Sequence, residues 1–224
     1  AQSVVTPRLV LRDVREGLRY IAAWPGLLAI LLMATLINFL LNPAFALLPL
    51  LVTRHFRGEA IHLGWLESGY GIGVVLGGLL LSVWGGFRRK LWTSMSGLFA
   101  TGLGAMGMGL LPPSAYPMAL GLMFWLGIAN PITNGPLFAL VQARVAPEMQ
   151  GRVFTVIHSL ASAMTPLGML FAGPIAEWLG LQTWYIIGGL GCSAMSLIAL
   201  LWPVTANLES QPMPQAVSAD SPTA

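Results

Sequence analysis

Long runs of apolar residues dominate the chain, and short polar segments separate them. Each of the six runs is about 20 residues long, and together they cover residues 26–51, 63–84, 91–111, 116–141, 153–179 and 184–202. Because an α-helix rises about 1.5 Å per residue, such a run is long enough to cross the hydrocarbon core of a bilayer. Buried helices of a water-soluble protein would need polar faces, which these runs lack. The pattern predicts an all-α, polytopic membrane protein with a six-helix bundle over residues 25–203.

The two flanking segments differ from the bundle and from each other. Residues 1–24 carry four arginines on one face and, at helical spacing on another, the apolar residues Leu11, Val14, Leu18 and Ile21. This pattern is typical of an amphipathic helix that lies on the membrane surface, here as a cytoplasmic linker. Residues 204–224 are polar and rich in Pro, Ser and Ala, which predicts a disordered cytoplasmic tail.

Composition narrows the functional class. Hydrophobic residues make up 56% of the chain and charged residues only 8%, against about 25% charged in soluble domains. The cations are too dispersed for a nucleic-acid surface. The single cysteine allows no disulfide within the chain. We predict no metal, no cofactor and no direct use of ATP, since the chain contains no phosphate-binding loop motif.

The distribution of cations predicts the orientation. Six helices place both termini on one side of the membrane, together with nine cations: Arg8, Arg12, Arg15, Arg19, Arg88, Arg89, Lys90, Arg144 and Arg152. The opposite side carries only Arg54 and Arg57. The positive-inside rule makes the side with nine cations cytoplasmic. The expected location is the inner cell membrane, crossed several times.

Two coincidences indicate an internal repeat. The glycines at 73, 78 and 85 recur with the same gaps at 168, 173 and 180. Asn38 and Asn42 in the first run are four residues apart, as are Asn130 and Asn134 in the fourth, and prolines lie beside both pairs. Runs one to three therefore correspond to runs four to six. Since three is odd, the two triplets have opposite orientations, which is a known plan of secondary transporters.

Three segments carry a family resemblance: "REGLRYIAAWPGLLAILLMATLINFL", "GYGIGVVLGGLLLSVWGGFRRK" and "VAPEMQGRVFTVIHSLASAMTPLGMLFAGPIAEWLG". With them the chain resembles the C-terminal six-helix half of a major facilitator superfamily exporter, in the branch that exports drugs, macrolides and enterobactin-type siderophores. The resemblance implies alternating access, an ion gradient (of protons) as the energy source, and a small-molecule substrate. It also implies an N-terminal six-helix half, in the same polypeptide or supplied by a second copy.

Two cytoplasmic turns resemble loops of that family. Gly85, Gly86, Arg88, Arg89 and Lys90 match the loop between its second and third helices, but the acidic residue of the family pattern is missing. The next turn resembles the loop between the fourth and fifth helices, where we expect a hinge or latch formed by Pro147, Glu148, Gly151 and Arg152. Glu148 and Arg152 are spaced for an ion pair within one helix.

The four asparagines are the best candidates for contact with a substrate. At 1.5 Å per residue, Asn38 and Asn130 lie roughly 18 and 21 Å into their runs, near mid-membrane. Proline-interrupted segments at matching places in two repeats indicate a transporter binding site, and the resemblance implies that these two helices line the central cavity. The alternative is that the amides serve only as hydrogen bonds between helices.

Other polar or small residues have secondary candidate roles. Glu67 and His158 are possible gating or proton-linked groups, against the alternatives of an interfacial carboxylate and a structural histidine. Glycines predicted to pack helices closely are Gly69, Gly73, Gly77, Gly168 and Gly173.

The resemblance implies one half of an exporter, and the absence of a charged residue near mid-membrane favours lipophilic or large amphiphilic compounds as its substrates. A self-associating six-helix scaffold, or a homodimeric transporter, is the alternative. An intramembrane hydrolase needs a nucleophile with a base in reach. His158 and Ser159 are neighbours in sequence and point to different sides of a helix, so we predict that the chain is not an enzyme.

Overall fold

The computed structural model describes residues 7–201, and the side chains of residues 15–201. This part of the chain is almost entirely helical and contains no β-strand, so the all-α prediction is confirmed. The helices are α1 (Pro7–Ala22), α2 (Pro25–Ala46), α3 (Leu48–Leu50), α4 (Ala60–Trp84), α5 (Lys90–Leu110), α6 (Tyr116–Arg144), α7 (Pro147–Leu179) and α8 (Leu181–Leu201). The predicted disordered tail lies outside the described residues.

Proline and glycine mark the ends of several helices. Pro25 and Pro147 occupy the first turns of α2 and α7, where a missing N–H costs no helical hydrogen bond. Gly85 ends α4 in the left-handed conformation, with φ of 74°, and its N–H donates to the carbonyl of Leu81. Only glycine adopts this geometry without steric cost, so α4 stops there and the chain turns back into α5.

The first predicted run forms a longer helical stretch than expected. α2 continues through the short α3 and a π-helical turn, Leu51–His55, so that Pro25–His55 is one stretch of 31 residues. Pro43 and Pro49 each remove one backbone donor, and the helix adjusts its hydrogen-bonding pattern after them. The second half of this stretch is therefore irregular, next to where Asn42 lies.

Within the described residues, four helical stretches are long and apolar enough to cross a membrane: Pro25–His55, Ala60–Trp84, Pro147–Leu179 and Leu181–Leu201. α5 and α6 also occupy predicted runs but are less apolar. α5 is the most buried of the long helices and carries Thr93, Ser94 and Thr101 on its buried face. Small and hydroxyl residues allow close contacts between helices inside a membrane bundle. A helix such as α5, which makes many of these contacts, is therefore less apolar.

The packing order of the helices follows the predicted repeat. α2 packs on α7 and α8, α6 packs on α4 and α5, and α5 packs on α8. The repeat relates α2 to α6, α4 to α7 and α5 to α8. Under this exchange the contact of α2 with α7 becomes that of α6 with α4, and the contact of α2 with α8 becomes that of α6 with α5. The contact of α5 with α8 is unchanged. The same pairs of elements are thus used twice, as two inverted triplets of helices require.

The outer surface is as apolar as the interior. Val83 is 91% exposed, Trp178 84% and Leu170 69%. A soluble protein rarely exposes so continuous an apolar surface, whereas lipid-facing helices do so throughout. The interior is instead distinguished by small residues and hydroxyl groups at the helix crossings.

Candidate functional site

Asparagines from two helices line one cavity of about 80 Å³ between α2, α4, α5 and α6. Its polar side chains are Asn38 of α2, Tyr70 of α4, Thr101 of α5, and Thr133, Asn130 and Asn134 of α6. The remainder of the lining consists of apolar side chains such as Ile37, Leu126 and Leu137. In the described part of the chain, no carboxylate, histidine, lysine or arginine lines it, so the cavity offers amide and hydroxyl groups on an apolar background.

Part of the hydrogen-bonding capacity in this cavity is already used. The Asn38 side chain donates to the carbonyl of Ala34 at 2.7 Å, and Asn134 donates to the carbonyl of Asn130 at 3.1 Å. Thr101 and Thr133 donate to carbonyls in their own helices. Within the described residues the Asn130 side chain makes no hydrogen bond, and a primary amide has two donor hydrogens and an acceptor oxygen. Asn130 therefore presents the largest unused capacity to a ligand.

Asn42 has a different environment from the other three asparagines and does not line the cavity. Its Nδ2 donates to the Thr165 hydroxyl at 3.0 Å and lies 3.4 Å from the carbonyl of Ala161, both on α7. It also lies 3.3 Å from the Asn38 Oδ1. Asn42 thus links α2 to α7, which is the helix-linking alternative considered for the asparagines.

The cavity helices are held by two close crossings in which a proline meets a glycine. A Cβ added to Gly168 of α7 would overlap the Pro43 ring and lie 2.8 Å from the carbonyl oxygen of Phe39. A Cβ added to Gly77 of α4 would lie 2.9 Å from the Pro131 ring and 2.5 Å from the carbonyl oxygen of Ile128. Each crossing pairs a helix of one triplet with a helix of the other.

The remaining glycines predicted for packing behave differently from one another. Gly73 lies against the backbone of Gly127, and Gly69 makes an ordinary contact with the carbonyl of Leu120. The packing role predicted for Gly173 is wrong within this chain, because a Cβ there would meet no atom within 4 Å. Its recurrence in the sequence therefore does not correspond to a helix contact.

His158 and Glu67 both lie outside the cavity lining. The His158 ring is exposed and stacks on Phe138 of α6, with ring centroids 6.1 Å apart and an interplanar angle of 18°. Phe138 follows Asn130 and Asn134 at intervals of four residues, so it continues their face of α6 toward the end of that helix. Glu67 is exposed on α4, one turn before Tyr70.

The turn between α4 and α5 is ordered by its glycines and a hydroxyl group. Gly85 and Gly86 both have positive φ, and the Phe87 N–H donates to the buried Thr93 hydroxyl at 2.8 Å. Arg88, Arg89 and Lys90 follow and are all exposed, at the start of α5. The turn thus presents three exposed cations directly after a hydrogen-bonded segment.

The turn between α6 and α7 makes a contact that the sequence did not indicate. The Arg152 guanidinium lies 3.0 Å from the Glu16 carboxylate of α1, rather than forming the predicted ion pair with Glu148. Gly17 of α1 approaches the carbonyl of Arg152 and the Val156 side chain. α1 is therefore held against α7. The side chains of Leu11 and Val14 on its predicted apolar face lie outside the described residues.

Sequence reasoning missed the hydroxyl groups and the aromatic ring of the cavity. Thr101, Thr133 and Tyr70 also carry polar groups inside apolar runs, and this was the signal available in the sequence. It also missed a hydrogen-bonded group at the opposite end of the bundle, where His55 and Gln182 lie 3.0 Å apart and the His55 ring bonds to the carbonyl of Leu111. These contacts join the ends of distant segments.

Comparison with known proteins places the chain among transporters. The family model "Major Facilitator Superfamily" matches residues 2–168. Macrolide efflux protein A of Streptococcus pyogenes is 29% identical over 194 residues, which cover 87% of this chain and 47% of that protein. Its Enterococcus faecalis counterpart is 31% identical over 71% of this chain and 49% of its own.

Multidrug efflux pump Tap of Mycolicibacterium fortuitum is 30% identical over 206 residues, which cover 90% of this chain and 48% of the pump. The chain thus spans about half the length of the curated relatives it matches. No solved structure matches it significantly.

Proposed function

The chain belongs to the major facilitator superfamily, and we propose that it forms one six-helix half of an exporter of neutral, amphiphilic compounds. Membership in this family identifies it as part of a multi-pass membrane transporter and not an enzyme. The observation that carries the proposal is the cavity between α2 and α6, which has three asparagines and no ionised side chain. Such a lining suits ligands with a large apolar surface and a few hydrogen-bonding groups.

The similar proteins support an efflux direction and a substrate class. Two are named for macrolide efflux and one for multidrug efflux. The amide and hydroxyl groups of the cavity would bind ester, ether or hydroxyl groups of such a compound without requiring it to be charged. The cavity volume of about 80 Å³ is smaller than typical drug pockets of roughly 300–1,000 Å³. A second half facing this one would supply the remaining walls.

The proposal requires a partner half, carried in the same polypeptide or supplied by a second copy. The chain's share of its relatives, 47% and 48% of their lengths, supports the first arrangement. The apparent mass of the intact gene product separates the two possibilities. We expect about twice the 23.9 kDa of this chain, whereas a product near 23.9 kDa would require a homodimer.

The substrate role of the cavity is tested by transport. In a bacterial strain that lacks its own pumps, cells with the intact protein should accumulate less of a fluorescent macrolide than cells without it. Replacing Asn130→Leu and Asn134→Leu together removes hydrogen bonds worth about 1 kcal/mol each. Together this is about 2 kcal/mol, so we expect export about thirtyfold slower.

The matched control is Gln142→Leu, which removes an exposed amide from the same helix outside the cavity. It should leave export unchanged at equal amounts of protein in the membrane. Export by the double asparagine variant at the unmodified rate would exclude the cavity as the substrate site.

We also propose that export is coupled to protons, which rests on the family resemblance. His158 and Glu67 are the side chains considered for it, and both are exposed. Glu67 lies on the cavity helix α4, whereas His158 lies on α7 and stacks on Phe138 of the cavity helix α6. A protonophore that collapses the gradient should abolish export. If His158 takes part, His158→Gln should remove the dependence of export on external pH, and Glu67→Gln provides the parallel test.

A further inference from the structure

Two adjoining hollows lie beside the cationic turn between α4 and α5, away from the asparagine cavity. The first, of about 370 Å³, is lined by Phe87, Arg88, Arg89 and Trp92. The second, of about 200 Å³, also has Phe87 in its wall and continues between α5 and α6. Arg88 and Arg89, which line the first hollow with the apolar parts of their side chains, therefore lie at the entrance of an apolar groove, and their charged ends are free to meet an anion beside it.

The entrance is held in place by contacts within the chain. The Phe87 N–H is bonded to the Thr93 hydroxyl, and the Phe87 ring packs edge-to-face on Trp84 at 4.8 Å between ring centroids. Gly86 lies so close to Thr93 that a Cβ would come within 2.8 Å of its hydroxyl oxygen. Arg88 and Arg89 thus start from a fixed backbone, which lowers the entropic cost of binding an anion between them.

The groove runs along the membrane-spanning part of the bundle. Its α5 wall contains Ser96, Gly97 and Ala100, and its α6 wall contains Ile128 and Ile132. Gly97 packs against the backbone of Ile132, so the two helices meet at the bottom of the groove. The lining ends at Trp125, whose indole N–H donates to the carbonyl of Ala100 at 2.9 Å. Ala100 follows Lys90 by ten residues, which is about 15 Å along the helix and equals half the thickness of a bilayer core.

From this juxtaposition we propose a specific site for an anionic phospholipid of the cytoplasmic leaflet, which goes beyond the transport function. The phosphate group binds between the Arg88 and Arg89 guanidinium groups, with Lys90 adding positive charge. One acyl chain lies in the groove between α5 and α6. Basic pockets between transmembrane helices on the cytoplasmic side are suited to anionic headgroups, and guanidinium groups bind phosphate through paired hydrogen bonds.

The charge at the entrance is tested by lipid binding to the intact protein, purified in detergent and studied by native mass spectrometry. Phosphatidylglycerol and phosphatidylcholine with identical acyl chains are titrated separately. The unmodified protein should bind the first more tightly. Arg88→Gln with Arg89→Gln should weaken phosphatidylglycerol binding about tenfold to thirtyfold, since each cation near the surface contributes about a factor of five.

The matched control removes two arginines from the opposite end of the bundle, Arg54→Gln with Arg57→Gln, where neither residue lines these hollows. This variant should bind phosphatidylglycerol within twofold of the unmodified protein. An equal loss in both double variants would overturn the proposal, because it would mean a general effect of net charge. Equal affinity of the unmodified protein for the two lipids would overturn it as well.

The groove itself is tested by Ser96→Phe, which fills it while keeping both arginines. Ser96 is exposed and bonds only to the carbonyl of Thr93, so we expect the variant to fold, with unchanged helix content by circular dichroism. It should weaken binding of phosphatidylglycerol at least fivefold. Unaltered binding by this variant would overturn the placement of the acyl chain. If the other half covers the groove in the intact protein, neither site variant will change lipid binding, and the proposal fails.

Discussion

The crossing of α2 with α7 and the crossing of α6 with α4 have the same construction but different polar chemistry. Each contains an Asn–Pro dipeptide, Asn42–Pro43 in α2 and Asn130–Pro131 in α6. In each, the proline ring lies against a glycine of the partner helix, Gly168 in the first case and Gly77 in the second. The two crossings correspond to each other in the two inverted triplets.

The asparagines of the two dipeptides are used differently. Asn42 bonds across the crossing to Thr165, whereas Asn130 faces the cavity without a side-chain hydrogen bond in the described part of the chain. α7 offers the Thr165 hydroxyl group to Asn42, whereas α4 crosses α6 with Gly73 and Gly77, which have no side chain to donate or accept a hydrogen bond. The asparagine of one Asn–Pro dipeptide therefore stabilises the bundle, and that of the other is free for a ligand.

The largest expected effect comes from filling the crossings. Gly77→Ala and Gly168→Ala each place a Cβ against backbone atoms, and we expect a loss of about 2 kcal/mol in unfolding free energy. Both crossings should respond alike. The measurement is thermal or denaturant-induced unfolding of the purified protein in detergent.

The matched controls for these variants are Gly78→Ala and Gly173→Ala, where a Cβ meets nothing within 4 Å. Because alanine favours a helix over glycine, these two variants should be unchanged or slightly more stable. Equal losses at all four glycines would show that the crossings are not special.

A smaller effect separates the two asparagines. Asn42→Leu removes a hydrogen bond between helices, which in membrane proteins is worth about 0.6 kcal/mol and at most about 1.7 kcal/mol. We therefore expect a loss of about 1 kcal/mol, measured by the same unfolding experiment. Asn130→Leu should change the unfolding free energy by less than about 0.5 kcal/mol, since no partner loses a bond. Losses of equal size would remove the distinction between a structural and a ligand-facing asparagine.

The smallest effect concerns the contact of α1 with α7. α4 is the counterpart of α7 in the other triplet, and within the described residues no helix packs on α4 in the way that α1 packs on α7. Glu16 and Arg152 are both partly exposed, so their ion pair should contribute about 0.2–1 kcal/mol. A double-mutant cycle with Glu16→Gln and Arg152→Gln measures this coupling. The same cycle on Glu148 and Arg152 should give no coupling. A larger coupling energy for Glu148 and Arg152 than for Glu16 and Arg152 would support the ion pair expected from the sequence instead.

Much of the fold was predictable because apolar runs of membrane length leave little choice. The six runs coincide with α2 and α4–α8, and the asparagines are conspicuous because amides are rare in such runs. Contacts between distant segments were not predictable. Thr165 lies 123 residues from Asn42, and no local rule selects it. Spacing favoured Glu148 as the partner of Arg152, but the docking of α1 brings Glu16 closer.

The central claim, that Asn130 lines an alternately exposed substrate cavity while Asn42 does not, is tested most directly by thiol labelling. Asn130→Cys and Asn42→Cys are introduced separately into the intact protein after its other cysteines, including Cys192, are replaced by serine. A membrane-impermeant maleimide is applied to right-side-out and inside-out vesicles, with and without a macrolide. We predict labelling of Asn130→Cys from both sides, slowed by the macrolide, and little labelling of Asn42→Cys. Absence of labelling of Asn130→Cys from either side, or equal labelling of the two positions, would contradict the account.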